Sequence, residues 1–373
     1  MNITQLLIAL IGLAGLAAAP PAPAQHIWLN VSVKAIVDAA TGQPATYVTT
    51  NLAQDGVAYA NELLARNVRG YRLRLVGLVD TSQIGGSSHS HDPSIWYPFQ
   101  YNTNTKQFLE EEFRADAYTN YPAMYDWNHS ALHVFLTTFV PGTGSGAFCA
   151  NCSSGRPSDF IANGSAPRAE YGLTIEQRFG SVLLHEIGHY FSLTHTFGGT
   201  KCRTDTGGNC ITPSPGNDEF TDTLGDVQNI GGCACWNRDN LSWTNFHQAY
   251  ASLDDGEREQ VNNVWFNLMS YHESWEARLT EQQLDHWADT ANAARRNQVS
   301  GVTLFVSLSG NDGQSGLSST TPKRQVQAAL NSASPGGGDI VLLRPGNYNE
   351  RVTLSQPGTL RATSAGPATL GRP

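Results

Sequence analysis

The sequence predicts an α+β fold with a short all-β segment appended, and two observations carry this. Apolar runs of period two alternate with helical spacings up to residue 299, in the order β-α-β-α-β-α. Near Val299 the pattern changes to short strands separated by Gly/Pro turns, which places a domain boundary close to residue 300.

Taken in order, residues 6–19 are apolar but fall short of the roughly 20 residues that span a bilayer. Ala22-Pro23-Ala24 follows, a small-x-small cleavage pattern. Residues 1–24 therefore read as a secretory signal peptide cut before Gln25, with an uncleaved anchor helix as the alternative, and the expected location is extracellular. Residues 27–38 alternate as a strand, with Ile27, Leu29, Val31 and Val33 on one face. Residues 57–67 have helical spacing, 71–80 alternate again, 106–118 read as an amphipathic helix and 131–140 as an apolar strand. A helix is predicted over 174–193. The loops 142–167 and 198–240 are rich in Gly, Ser, Asn and Cys, and the second is too long for a plain connection. Thr280-x-x-Gln283 is a capping box that opens a helix running to about residue 296. In the appended segment, strands are expected at 303–307, 339–343, 351–354 and 359–363, with a short helix at 322–333.

Composition narrows the function classes. Only 15% of the 373 residues are charged and 40% are hydrophobic, too apolar a chain for disorder. The net charge is -9 with no basic run, which argues against nucleic-acid binding and against an anionic membrane surface. The six cysteines, Cys149, Cys152, Cys202, Cys210, Cys233 and Cys235, are an even number in an exported chain and suggest disulfides. Cys149-x-x-Cys152 and Cys233-x-Cys235 also admit a metal or redox reading, but lack the strand-to-helix setting of a thioredoxin motif. Pairing does not follow from the sequence.

The central motif is His185-Glu186-Ile187-Gly188-His189, continued to His195. On a helix, His185 and His189 lie one turn apart and present two imidazoles to one metal ion. Glu186 is turned about 100° from His185 and flanks that ion without having to bind it. A continuing helix would carry His195 roughly 240° off the metal face, so the chain must break near Ser192 to bring it back. Three neutral histidines leave one tetrahedral position for water, the arrangement of a catalytic rather than a structural zinc site. Glu186 is then placed to take the water proton and pass it to a leaving amine. His89 and His91 with Asp92 form a second potential metal group, against the simpler reading of a polar loop.

At these residues the chain resembles the metzincin metallopeptidases, and within them the pappalysin family (cytophagalysin-like secreted peptidases). His195-Thr196-Phe197 resembles the end of that family's zinc motif, Asn217 to Thr223 its acidic Asp-Thr segment, Asn267-Leu268-Met269-Ser270-Tyr271 its Met-turn, and Leu279 to Gln283 the start of its closing helix. The resemblance covers roughly residues 27–297 and is weakest before residue 130. It implies a metzincin-like domain over 25–299: a twisted mixed sheet with an active-site helix and a helical C-terminal subdomain. It implies Zn2+ held by His185, His189 and His195, Glu186 as general base, Met269 as a hydrophobic floor and Tyr271 as a donor to the oxyanion. For Met269 and Tyr271 the plain alternatives are core packing and a buried structural tyrosine. The resemblance also implies Ca2+ in the loops past the zinc helix. Asp205, Asp218, Glu219, Asp222 and Asp226 supply oxygen ligands there, with a solvated acidic loop as the alternative. Two departures stand out: Ser192 occupies a position where the family normally has Gly, and Asp222-Thr223-Leu224 stands where it often has Asp-Thr-Pro. A Ser held at positive φ costs on the order of 1 kcal/mol.

Residues 300–373 resemble the opening of right-handed parallel β-helix proteins, through Gly310 to Gly316, Thr321 to Leu330 and the Pro345-Gly346-Asn347-Tyr348 turn. One or two rungs are too few for a solenoid to stand alone. The piece is therefore expected to be a truncated fragment, to dock on the first domain, or to stay partly mobile. The function expected is that of a secreted, monomeric zinc-dependent endopeptidase acting on protein or peptide substrates. The rival is an inactive metzincin-fold binding or adhesion protein with a glycan- or surface-binding tail.

Overall fold

The computed structural model describes residues 25–66, 69–77, 92–143, 146–167, 172–197, 218–226, 250–272 and 276–371, and the backbone alone of short strands at 203–204, 210–211, 242–243 and 248–249. Residues 1–24, His89, His91, Asp205, Cys202, Cys233, Cys235 and the Cys210 side chain lie outside the described residues. Among the described residues no helix is long and apolar enough to cross a membrane.

Strand β1 (Ile27–Ala35), helix α1 (Thr50–Ala65) and strand β2 (Tyr71–Gly77) open the chain. A hairpin β3 (Tyr101–Asn102) and β4 (Gln107–Phe108), a short helix α2 (Glu110–Arg114), and strands β5 (Leu132–Leu136), β6 (Ala147–Ala150) and β7 (Phe160–Asn163) follow, then helix α3 (Ile175–Tyr190). Strands β1, β2, β5, β6 and β7 form one mixed sheet of order β2-β1-β5-β7-β6; only β6, at the edge, runs antiparallel to its neighbour. Strand β1 sits inside the sheet, with Val31 and Val33 on the α1/α3 side and Ile36, just past its end, among the aromatic rings of the opposite face.

Helix α1 begins seven residues before its apolar spacing does, because Thr49 caps it by accepting from the Leu52 N–H at 3.0 Å. Gly56 and Gly180 let α1 and α3 touch: a Cβ on Gly180 would stand 2.2 Å from the Gly56 carbonyl oxygen. The helix expected over 106–118 is corrected. Lys106 takes φ 56 to close the β3–β4 hairpin, so helix starts only at Glu110 and widens into a π turn over Ala115–Asn120. That turn points Asp116 inward, where it accepts from Trp96 Nε1 at 2.9 Å and from the Tyr125 hydroxyl at 2.6 Å. On the same side of the sheet, buried Lys34 is satisfied by the carbonyls of Tyr125 (2.7 Å) and Asp126 and by His133 Nδ1 (2.9 Å). Burial lowers Lys34 to about 8.

Beyond α3, strands β8 (Arg203–Thr204), β9 (Cys210–Ile211), β10 (Ser242–Trp243) and β11 (Gln248–Ala249) form a small sheet, followed by α4 (Asp255–Trp265) and α5 (Glu281–Asn292). The capping box of Thr280 and Gln283 is present. Helix α5 ends at Asn292, short of residue 296, because Arg295 turns into the core.

The last segment holds β12 (Thr303–Val306), α6 (Val326–Leu330), β13 (Ile340–Leu343), β14 (Gly346–Tyr348), β15 (Thr359–Ala362) and β16 (Ala368–Leu370). Strands β12, β13 and β15 pair in parallel, as do β14 and β16. The strand expected at 351–354 is absent: Thr353 N–H donates to the Gln327 side chain at 2.7 Å instead of to a strand, and Leu354 is exposed. The helix expected at 322–333 shortens to α6 because Lys323 bridges Val306 in extended backbone; the Glu350 carboxylate then caps α6 through the N–H groups of Val326 and Gln327.

This segment is docked. Phe305, Ile340 and Leu342 belong to the same buried cluster as β1, α1 and α3. Asn292 of α5 exchanges hydrogen bonds with Thr303, its Nδ2 donating to the carbonyl at 2.7 Å and its Oδ1 accepting from the N–H at 2.9 Å. Arg69 and Arg344 both grip Glu281 and Asp285, Arg69 at 2.9 and 2.8 Å.

Candidate metal centre

Helix α3 starts with a full capping box, Thr174 accepting from Gln177 N–H and the Gln177 side chain accepting from Thr174 N–H. It buries Phe179, Leu183, Leu184 and Ile187 and ends at Tyr190. Ser192 then takes φ 65, the left-handed conformation expected of it, and Leu193 N–H returns to the Gly188 carbonyl at 3.0 Å. This turn swings His195 back over the helix.

The result is a convergence of three imidazoles. His195 Nε2 lies 3.2 Å from His185 Nε2 and 3.0 Å from His189 Nε2. Ligands about 2.0–2.1 Å from a tetrahedral zinc stand roughly 3.3 Å apart, so the three nitrogens fit that ion. Outer partners set the tautomers: His185 Nδ1–H donates to the Leu268 carbonyl at 2.6 Å and His189 Nδ1–H to the Leu193 carbonyl at 2.7 Å, leaving both Nε2 lone pairs facing inward. Burial holds all three rings neutral: His185 falls well below its usual value, His189 is lowered, and His195 falls to about 3. Among the described residues this is the one group of His, Cys, Asp or Glu able to hold a metal ion.

Met269, expected as the floor of the site, packs against α3 at Gly188. It is fully buried, and its backbone N–H is held by the Asn267 side chain at 2.9 Å, which in turn donates to Gln283 of α5 at 2.8 Å. A Cβ on Gly188 would stand 2.3 Å from the Met269 sulfur. Gly188→Ala is therefore expected to push Met269 out of place and lower stability by about 1–3 kcal/mol in thermal unfolding. Met269→Ala in the same chain should restore part of the loss, and an additive double variant would disprove the contact.

Glu186 is 6% exposed. Burial raises its carboxyl to about 8, and a hydrogen bond from the Cys149 N–H pulls the other way. Cys149 lies on edge strand β6 and is joined to Cys152 in a disulfide, which decides that pair in favour of a bridge. The Tyr271 ring stands 5.8 Å from that of His185 and 4.7 Å from that of His195, and it is 42% exposed rather than buried.

Asp218 and Asp222, expected as calcium ligands, make hydrogen bonds within the protein. Asp218 is buried, accepts from Phe220 N–H and Gln283 Nε2 at 3.2 Å each, and burial raises it to about 6. Asp222 accepts from Gln282 N–H in the first turn of α5 at 2.9 Å. Both carboxylates thus tie the loop to α5. Asp226 binds the Thr196 hydroxyl and His272 Nε2, the latter at 2.8 Å, with His272 stacked on Trp265. Asp226 and His272 therefore clamp the residue beside His195, a role with no local sequence signal.

A second support was equally hidden. Arg295 is fully buried and donates to the carbonyls of Tyr190 (2.9 Å), Arg156 and Cys152 (2.8 Å) and to the Asp159 carboxylate (2.8 Å). Its guanidinium lies 3.8 Å from the Tyr190 ring centroid. One side chain so joins the end of the zinc helix, the disulfide turn and the chain beyond α5.

A His-Glu-x-x-His helix and a returning third histidine beside a mixed sheet make the pattern of a metallopeptidase centre. Residues 123–290 match the family Peptidase_M43, described as Pregnancy-associated plasma protein-A, and this supports a pappalysin-type metallopeptidase. A search of the curated proteins found no match.

Proposed function

We propose that the protein is a secreted zinc endopeptidase in which Glu186 is the general base. The observation that carries this is the convergence of three inward-facing Nε2 atoms beside a buried carboxylate, at the open edge of a sheet. Zinc, when bound, would supply Lewis acidity toward a peptide carbonyl and acidify water. His185, His189 and His195 hold the ion, and their backbone partners keep them from rotating. Glu186 accepts the proton of the attacking water and delivers it to the leaving nitrogen. Tyr271 donates its hydroxyl to the developing oxyanion.

Strand β6 offers the peptide a rail. The Gly146 carbonyl bonds Gly164 N–H, so by alternation Phe148 and Ala150 bond β7, while Ala147 and Cys149 turn their backbone groups outward. Among the described residues no strand pairs that outer edge. An extended peptide added there would pass Glu186. Residues 300–371 are read as the start of a parallel β-solenoid that braces the catalytic part, and the chain as a monomer. The test is metal content and cleavage of a broad peptide library by the full chain. One zinc per chain with internal peptide cleavage is expected; stoichiometric zinc with an uncut library would overturn the reading.

A further inference from the structure

We propose that Phe108, Phe139 and Phe148 form a substrate subsite that selects an aromatic or large aliphatic side chain beside the scissile bond. This rests on the endopeptidase reading and names what that site prefers. The three rings pack together, with centroids 4.9 Å (Phe108–Phe139), 5.0 Å (Phe108–Phe148) and 5.6 Å (Phe139–Phe148) apart, and Tyr101 adds a fourth ring 5.2 Å from Phe108. They border an aromatic core made by Trp96, Phe99, Phe113, Phe135 and Phe160. Those core rings are buried, whereas Tyr101, Phe108, Phe139 and Phe148 are only partly so and keep ring edges at the surface.

Position along β6 makes this surface part of the site. Cys149, the donor to Glu186, sends its side chain to the α3 face; Phe148, one residue earlier, sends its ring to the opposite face. A peptide paired to the outer edge of β6 alternates likewise, so every second side chain meets the Phe148 face. Two positions further back on that face stands Gly146, where an added Cβ would meet nothing within 4 Å among the described residues, which leaves room there for a bulky group. At Gly164, by contrast, the Phe139 ring already fills the Cβ position at 2.3 Å and holds the wall in place. A flat, partly desolvated aromatic wall favours rings and branched chains and disfavours charge.

The test is the same library cut by the zinc-loaded full chain and read by mass spectrometry. Enrichment of aromatic or large aliphatic residues is expected at one position within three residues of the cut. In Phe108→Ala and Phe148→Ala, the ratio of kcat/KM between a selected peptide and its alanine counterpart should collapse about tenfold. Zinc content and thermal unfolding identify a variant that has merely lost its fold; Tyr101→Ala, at the rim, then carries the comparison. Cleavage without such enrichment, or an unchanged ratio in folded variants, overturns the subsite and leaves the peptidase reading standing. A library left uncut overturns both.

Discussion

Glu186→Gln is expected to keep its zinc and lose hydrolysis, with kcat falling about 10²–10⁴-fold. The substitution preserves the size of the side chain and removes only the ability to take a proton. The ligands lie on other residues, and their orientation comes from the Leu268 and Leu193 carbonyls, not from Glu186. Metal analysis and kcat on a library-derived peptide measure the two halves separately. Retention of both would place the base elsewhere, and loss of both would make Glu186 a structural group.

Arg295→Met should be the most damaging substitution outside the centre, costing about 3–5 kcal/mol in denaturant unfolding. The change removes the closest cation from the Asp159 carboxylate, which has no exposed side-chain surface and keeps Arg114 at 3.6 Å, and it frees the carbonyls of Tyr190 and Cys152. Burial already raises the Asp159 carboxyl, and Arg295 is among the groups drawing it back, so its removal favours the neutral acid. Asp159→Leu combined with Arg295→Met should recover part of the loss, because it no longer leaves a buried carboxylate short of its closest cation. If the double variant is no better than the single one, the carbonyl contacts outweigh the ion pair.

The zinc helix was legible because its signals are local. The i, i+4 histidines and the rotation that forces a break before His195 lie within eleven residues of chain, 185–195. Strands of the mixed sheet were legible through alternation at β1 and β2 and the apolar run at β5. What failed was decided from afar. Lys106 enters a hairpin because the Phe108 ring has an aromatic cluster to join, and helical spacing over 106–118 carries no trace of that. The hydrogen bonds of Asp218 and Asp222 to Gln283 and Gln282 were likewise illegible, because those donors on α5 stand 60 or more residues away. Asp226 and His272 meet across 46 residues, and Arg295 reaches Cys152 across 143; neither distance leaves a periodicity to read.

The closure of β1 has a consequence for how the protein is made. Trp28 N–H donates to the Ser300 hydroxyl across 272 residues, and Leu29 bridges Val299 beside it. At about 5–20 residues per second, a ribosome needs on the order of tens of seconds to deliver the second partner after the first. During that interval the part of the core that Phe305, Ile340 and Leu342 complete stays open. Folding from the N-terminus alone is therefore expected to leave that part of the core uncovered until the segment past residue 300 has emerged.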